Sequence, residues 1–179
     1  MDQSLKNETF DLLYDYSIFR LHNSALKESR LTGISLPNPG PLSKMMRYLC
    51  HRFSGSVTVW SQLTNQKDFS IASYENFRTC VHSAFEDCNI NLKFIYAYFE
   101  FVSICCISAM STCIYSANVK EICMYSAEYM CNSTKFLNFL FQNHGWEGLL
   151  TVEYNKCKSL QEDTFKQWLL VLNNDHECL

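Results

Sequence analysis

The sequence predicts an all-α fold in which about seven to nine amphipathic helices pack around one central apolar helix. Glycine and proline number only 5 and 3 among 179 residues, too few for the many turns of a β-sandwich or barrel. Hydrophobic residues make up 47% of the chain and charged residues 18%, a composition that favours a compact core over disorder. Along most of the chain, apolar residues recur every three or four positions, which is helical spacing. The length favours one domain, residues 1–179.

Three segments before residue 90 have this helical spacing. In residues 5–22, Asp11, Asp15 and Arg20 lie between the apolar residues, as in an amphipathic helix whose apolar side is formed by Leu12, Leu13, Tyr16 and Phe19. A loop with all three prolines leads to a second helix near residue 42, which ends at residue 54 and carries the apolar stripe Met45, Met46, Leu49 and Phe53. The third helix covers residues 71–87, and its apolar stripe includes Val81, Ala84 and Phe85.

The segment from Asn91 to about Ala117 differs from the others because apolar and small residues occupy every face of the predicted helix. Such a helix must be buried on all sides. A membrane span is the rival interpretation. Lys93 and Glu100 interrupt the apolar run, and several serines and a threonine follow, so the sequence favours a buried core helix over a span.

The remaining chain contains four shorter helical patterns. Asn118 and Glu121 have the spacing of a capping box and predict a helix start, and another helix is expected from residue 132 to 143. Gly145 then ends one helix before Trp146 begins the next. Residues 156–179 are expected to be a short C-terminal amphipathic helix and tail without a transmembrane anchor, since a helix of about ten residues is much too short to cross a bilayer.

Composition argues against several classes of function. The net charge is −3 and the Lys and Arg residues are scattered, which disfavours nucleic acid as a partner. None of the ten cysteines forms a C-x-x-C pair, so free thiols in a reducing cytosol are expected, with no metal and no cofactor. Cys105 and Cys106 lie in the apolar helix, where burial makes a thiol inert, so neither an enzyme nor a small-molecule substrate is predicted.

Two motifs carry a family resemblance. Residues 11–21, Asp-Leu-Leu-Tyr-Asp-Tyr-Ser-Ile-Phe-Arg-Leu, resemble the N-terminal homology motif of the Bcl (B-cell lymphoma) family of apoptosis regulators. Residues 139–149 resemble that family's second homology motif, in which a Gly-Gly-Trp-Asp turn links two helices; here it reads His144, Gly145, Trp146 and Glu147. In physical terms Gly145 stops a helix, Trp146 enters the core and Glu147 complements the dipole of the next helix.

The resemblance covers roughly residues 4 to 155 and implies a Bcl-like helical bundle. The opening residues 4–9 further resemble the avian Nr-thirteen branch of the family, including a copy carried by an avian herpesvirus, and so imply a viral homologue. The family's first homology motif, Asn-Trp-Gly-Arg, aligns with residues 91–94, where only Asn91 matches. In the family that arginine pairs with an aspartate of a bound death-motif helix. Here either Lys93 or Arg78 could take its place, or the affinity could come from apolar pockets alone.

The chain's own death-motif region maps to residues 42–49, where the expected small residue and acid are replaced by Met46 and Arg47. This departure indicates a receptor for death-motif helices and not a ligand.

The function implied by the resemblance is pro-survival: the chain would capture the amphipathic death-motif helices of pro-apoptotic Bcl family proteins, both effectors and helix-only activators, in a hydrophobic surface groove and so block mitochondrial apoptosis. Replacing Phe94 or Met46 with Glu is expected to abolish binding without unfolding the protein. The expected groove residues are Met45, Met46, Leu49, Phe53, Cys80, Val81, Ala84, Phe85, Asn91, Lys93, Phe94, Ala97 and Phe101.

The same resemblance implies a protein in the cytosol of the host cell that acts at the mitochondrial outer membrane and endoplasmic reticulum surface, with peripheral membrane contact at most. Two alternatives remain open. One is a pro-apoptotic member of the same fold, and the other is a structural helical interaction protein without groove binding.

Overall fold

A computed structural model of the chain describes residues 3–24, 34–36, 38–54, 78–79, 81–82, 85, 88–111 and 116–160. Across these ranges every regular element is a helix, which confirms the all-α prediction. Within these ranges six helices have a defined first and last residue: α1 Gln3–His22, α2 Pro41–Ser54, α3 Leu92–Ser111, α4 Ser116–Asn132, α5 Thr134–Gln142 and α6 Gly145–Leu160.

Other predicted elements lie largely outside the described residues. Of the helix predicted over 71–87, only positions 78–79, 81–82 and 85 are described, and all are helical. Residues 156–160 of the predicted C-terminal segment belong to α6, and the rest of that segment, after residue 160, lies outside the description.

The central position predicted for the apolar segment is confirmed by α3. Helices α1, α2 and α4 all pack against it. The side chains of Tyr98, Phe99, Val102 and Cys106 on α3 are fully buried. Within the described ranges, α3 is the one helix long and apolar enough to cross a membrane, over Leu92–Met110. Because α3 is buried among three neighbouring helices, its apolar surface is part of the protein core.

Asp15 is buried, although it lies between the apolar residues of the amphipathic pattern of α1. This carboxylate is only 6% exposed and accepts two hydrogen bonds from Arg47 on α2, one from Nε at 2.8 Å and one from Nη2 at 2.6 Å. The Arg47 guanidinium is itself 2% exposed and lies 4.8 Å from the ring centroid of Phe19. The buried pair therefore ties α1 to α2 with a fixed geometry.

A second buried carboxylate, Glu100, interrupts the apolar run of α3. Its Oε2 accepts a hydrogen bond from the Tyr16 hydroxyl at 2.6 Å, and its Oε1 pairs with the Arg20 guanidinium. Burial and the neighbouring Glu100 charge raise the pKa of Tyr16 well above its usual value. Both interactions join α3 to α1, so the polar break in the central helix is a structural contact.

The turn between α5 and α6 lies where its motif predicted, but Asn143 is the C-cap of α5 and Gly145 is already the first residue of α6. His144 and Gly145 both have positive φ, 59° and 74°. At Gly148, a Cβ would collide with the backbone oxygen of Asn143, so the close approach requires glycine. Trp146 is fully buried and donates its Nε1–H to the Thr9 hydroxyl of α1 at 2.9 Å.

Three further details concern helix starts. Glu147 lies in the first turn of α6, as predicted from the helix dipole. In contrast, α4 already begins at Ser116, so Asn118 lies inside the helix and the start predicted there is wrong. At α5 the Ser133 hydroxyl accepts a hydrogen bond from the Phe136 N–H at 3.3 Å and caps the helix.

Candidate functional site

The predicted groove residues fall into two classes of exposure. The half-buried or exposed members are Met45, Asn91, Lys93 and Phe94. The buried members are Met46, Leu49, Val81, Phe85, Ala97 and Phe101. Cys80, Ala84 and the side chain of Phe53 lie outside the description. Most of the apolar surface assigned to the groove is therefore packed against neighbouring side chains.

Burial corrects one expectation about Met46. Its side chain is 0% exposed and belongs to the main hydrophobic core. A glutamate there would place a carboxylate in the core without a partner, which strongly destabilises the fold. Met46→Glu therefore cannot separate binding from stability. Met45, one residue earlier on the same helix, is half-buried and available to a ligand.

The Phe85 ring joins the predicted wall at residues 81–85 to the floor supplied by α3. Its centroid lies 5.2 Å from that of Phe94, 5.3 Å from Tyr98 and 5.6 Å from Phe101, each in an edge-to-face arrangement. Aromatic pairs at these distances and angles attract one another beyond simple area burial. The Phe85 side chain thus fills the space between this wall and the floor.

The first turn of α3 presents both a cap and a cation. Asn91 Oδ1 accepts a hydrogen bond from the Phe94 N–H at 3.0 Å, which caps the helix and orients Phe94. Lys93 is exposed between them, and no residue in the described part of the chain forms a hydrogen bond or ion pair with its ammonium group. The turn therefore combines a half-buried aromatic ring with a positive charge open to solvent.

A cavity of about 330 Å³ lies beside Phe85 and Phe94. Its opposite side is formed by the end of α4 and the start of α5, with Tyr129, Met130 and Phe136 among the lining residues. Helical periodicity in the sequence does not reveal these three residues as neighbours of Phe94, because the contact joins segments far apart in the chain. In the sequence, these three residues stand out only because each belongs to the apolar stripe of its own helix.

The segment that aligns with a death motif, residues 42–49, is held inside the fold. Met46 and Leu49 are fully buried, and Arg47 is occupied by Asp15. Presenting this segment to another protein would require breaking that ion pair and opening the core.

The described residues hold no group of three or more potential metal ligands. Burial raises the pKa of the Cys50 and Cys106 thiols well above their usual value, and the nearby Cys123 thiol raises that of Cys106 further. Because the thiolate is the nucleophilic form, these side chains are poor candidates for catalysis.

Comparison with known proteins gives a structural match without a sequence match. No protein-family model matches the sequence, and no curated protein matches it. Among solved structures, the chain is similar to the zebrafish pro-survival protein NRZ, determined in complex with Bad BH3, with a TM-score of 0.60 and 17% identity. The match covers 83% of this chain and 93% of that chain. The chain therefore has the Bcl-like helical fold that its two motifs predicted.

Proposed function

We propose that the chain is a pro-survival protein that binds death-motif helices of pro-apoptotic Bcl family proteins and so blocks mitochondrial apoptosis. The observation that carries this proposal is the fold it shares with a pro-survival protein determined with a death-motif (BH3) segment bound. Because one fold hosts many functions, binding also requires a suitable surface. The apolar residues of α2 and α3 around Met45 and Phe94 supply it.

The binding mode is helix-in-groove recognition. An amphipathic helix places apolar anchors at i, i+3 or i+4 into pockets, and its polar face remains in water. Since Phe85 contacts Phe94 and Phe101, a ligand side chain entering between them must displace the Phe85 ring. Binding of well-filled pockets then gives dissociation constants of about 1 nM to 1 μM.

The ligand's aspartate needs a cation near the start of α3. Phe94 stands where the family has arginine, and it cannot pair with a carboxylate. Lys93 and Arg78 are both exposed and both remain candidates for that role. A charge-assisted bond of this kind contributes about 1.5 to 3 kcal/mol, so the site can retain useful affinity from its apolar contacts even if neither residue reaches the aspartate.

The buried Arg47 supports the role of receptor over that of ligand. A pro-apoptotic member of the same fold would have to expose residues 42–49, which are anchored here through Asp15. A structural interaction protein without groove binding is the remaining alternative, and it predicts no affinity for death-motif peptides.

The assay is calorimetric titration of the chain with synthetic death-motif peptides of about 26 residues. A control peptide has its anchor leucine and its aspartate replaced. We expect sub-micromolar binding that the control peptide loses. Phe94→Glu should abolish binding, while Val152→Glu, at a side chain 53% exposed on α6, should bind as the wild type does. Flat titrations from a folded helical protein would contradict the proposal.

Viral origin and localisation are finer parts of the same proposal. The resemblance of residues 4–9 to an avian herpesvirus copy supports a viral homologue that works in the cytosol of the host cell. It would meet its partners at the mitochondrial outer membrane and the endoplasmic reticulum surface, with peripheral membrane contact at most. Fractionation of expressing cells tests this: recovery of the chain only in carbonate-resistant membranes would contradict it.

A further inference from the structure

A second concave surface lies between the first turns of α1 and the end of α5. It encloses about 660 Å³ and is lined by side chains that include Leu5, Glu8, Leu137, Phe141 and His144, a surface called here the N-terminal hollow. None of these residues belongs to the expected groove. The hollow is therefore a separate feature of the surface, independent of the proposed function.

Phe141 gives the N-terminal hollow an apolar anchor. Its side chain is 86% exposed, the largest exposure among the big hydrophobic residues in the described part of the chain. The buried face of α5 is formed by Phe136 and Leu140, so the helix is held in the core without Phe141. Leu5 and Leu137 extend the apolar surface beside it. An exposed aromatic ring next to a concave apolar surface is typical of a protein interaction site.

His144 is held in a costly conformation at the edge of this hollow. Its φ of 59° is in the left-handed region, which glycine adopts without strain and other residues rarely adopt. Its side chain is exposed and lines the hollow. The left-handed position after the C-cap of α5 thus places an imidazole at the border of the apolar surface.

Glu8 lines the N-terminal hollow, and the carboxylates of Glu147 and Asp11 lie near Glu8. Burial raises the pKa of Glu8, and the nearby Glu147 and Asp11 carboxylates raise it further, which shows that the three acidic groups share one electrostatic environment. The lining residues include no Lys or Arg among those described. An acidic border repels anionic lipid headgroups and attracts cationic side chains, so charge complementarity selects a basic protein segment over a membrane surface.

We propose that the N-terminal hollow docks a basic amphipathic helix of a partner protein. Apolar side chains one turn apart on that helix would pack on both sides of the Phe141 ring and reach Leu5 and Leu137. Lys or Arg side chains next to those anchors would pair with Glu8 and Glu147. The partner is thus cationic, whereas the ligand of the expected groove is recognised through an aspartate.

The test uses the full chain and a fluorescent amphipathic Leu/Lys helix of about 18 residues as the probe. Fluorescence anisotropy gives the affinity, and a Leu/Glu peptide of the same length serves as the charge control. Two variants alter the hollow, Phe141→Ser and Glu8→Gln. Two matched variants leave it intact: Val152→Ser removes a different exposed apolar side chain, and Phe94→Glu alters the expected groove.

We expect saturable binding of the Leu/Lys helix that weakens with added salt and is absent for the Leu/Glu peptide. Phe141→Ser should weaken binding at least tenfold and Glu8→Gln about threefold, with no change in Val152→Ser or Phe94→Glu. Loss in Phe94→Glu but not in Phe141→Ser would place the peptide in the groove and overturn the proposal, as would absence of binding.

Two further outcomes would assign the hollow to another occupant and also overturn the proposal. One is sedimentation of the chain alone as a dimer that Phe141→Ser converts to a monomer. The other is co-sedimentation with phosphatidylcholine/phosphatidylserine vesicles that Phe141→Ser abolishes. Failure of this proposal leaves death-motif binding untouched, because that binding is measured with different peptides and a different variant.

Discussion

The buried pair between Asp15 and Arg47 makes the sharpest prediction about stability. Asp15→Asn leaves the Arg47 guanidinium, only 2% exposed, without its carboxylate. Removing one partner of a buried ion pair costs about 3–5 kcal/mol of unfolding free energy, because the other charge stays buried and uncompensated. The two hydrogen bonds of 2.6 and 2.8 Å place this pair among the well-ordered cases.

Removal of the other partner, by Arg47→Met, should lower the unfolding free energy by less, and the size of the loss should depend on pH. Arginine cannot lose its proton, whereas the Asp15 carboxyl can take one. Burial already raises the pKa of Asp15 despite the hydrogen bonds from Arg47, and removal of Arg47 raises it further. A folded-state pKa above the unfolded value means that the folded protein binds the proton more tightly. The unfolding free energy of Arg47→Met should therefore rise as pH falls through that pKa.

Urea denaturation followed by circular dichroism measures these differences. The double variant Asp15→Asn with Arg47→Met removes both charges and should recover most of the loss, which a double-mutant cycle reports as coupling. Lys156→Met is the control, since it breaks the exposed pair with Glu153 and should cost less than about 1 kcal/mol. A cost below about 1 kcal/mol for Asp15→Asn would contradict this prediction, because it would mean that the pair behaves as if it were on the surface.

Three other predictions follow from single contacts. Trp146→Phe removes the N–H donated to the buried Thr9 hydroxyl and should lower the unfolding free energy by about 2 kcal/mol or more, measured by urea denaturation; an unchanged midpoint would contradict the contact. Glu147→Gln should lower the raised pKa of Glu8 toward 4.5, which carboxyl NMR titration measures. Because the folded protein then binds the Glu8 proton less tightly, the unfolding free energy should also fall less as pH rises through this range. A thiol reagent should modify the exposed Cys88 quickly in the native protein, so Cys88→Ser should remove one fast-reacting thiol; identical traces would show that Cys88 is not accessible.

Features decided by neighbouring residues were predictable from the sequence. The extents of α1 and α2 follow from helical spacing, and the position of the turn near Gly145 follows from a local motif. The central position of α3 follows from a helix that is apolar on every face. In each case the information lies within a few turns of the chain.

Contacts between distant segments were not predictable in this way. Asp15 and Arg47 are 32 positions apart, and Tyr16 and Glu100 are 84 apart, so no periodicity pairs them. Apolar stripes also do not distinguish a core from a groove: Met45 and Met46 are adjacent, yet the first is half-buried and the second is enclosed. Both environments select the same residue types, and only the packed fold separates them.

The proposed function requires that the surface around α2 and the start of α3 binds a death-motif helix. Its most direct test is chemical-shift mapping of the isotope-labelled chain during titration with such a peptide. Such binding predicts that the largest changes fall on Met45, Phe85, Lys93 and Phe94 and that the signals of Phe141 and His144 stay in place. Changes centred on the N-terminal hollow, or no changes at saturating peptide, would contradict it.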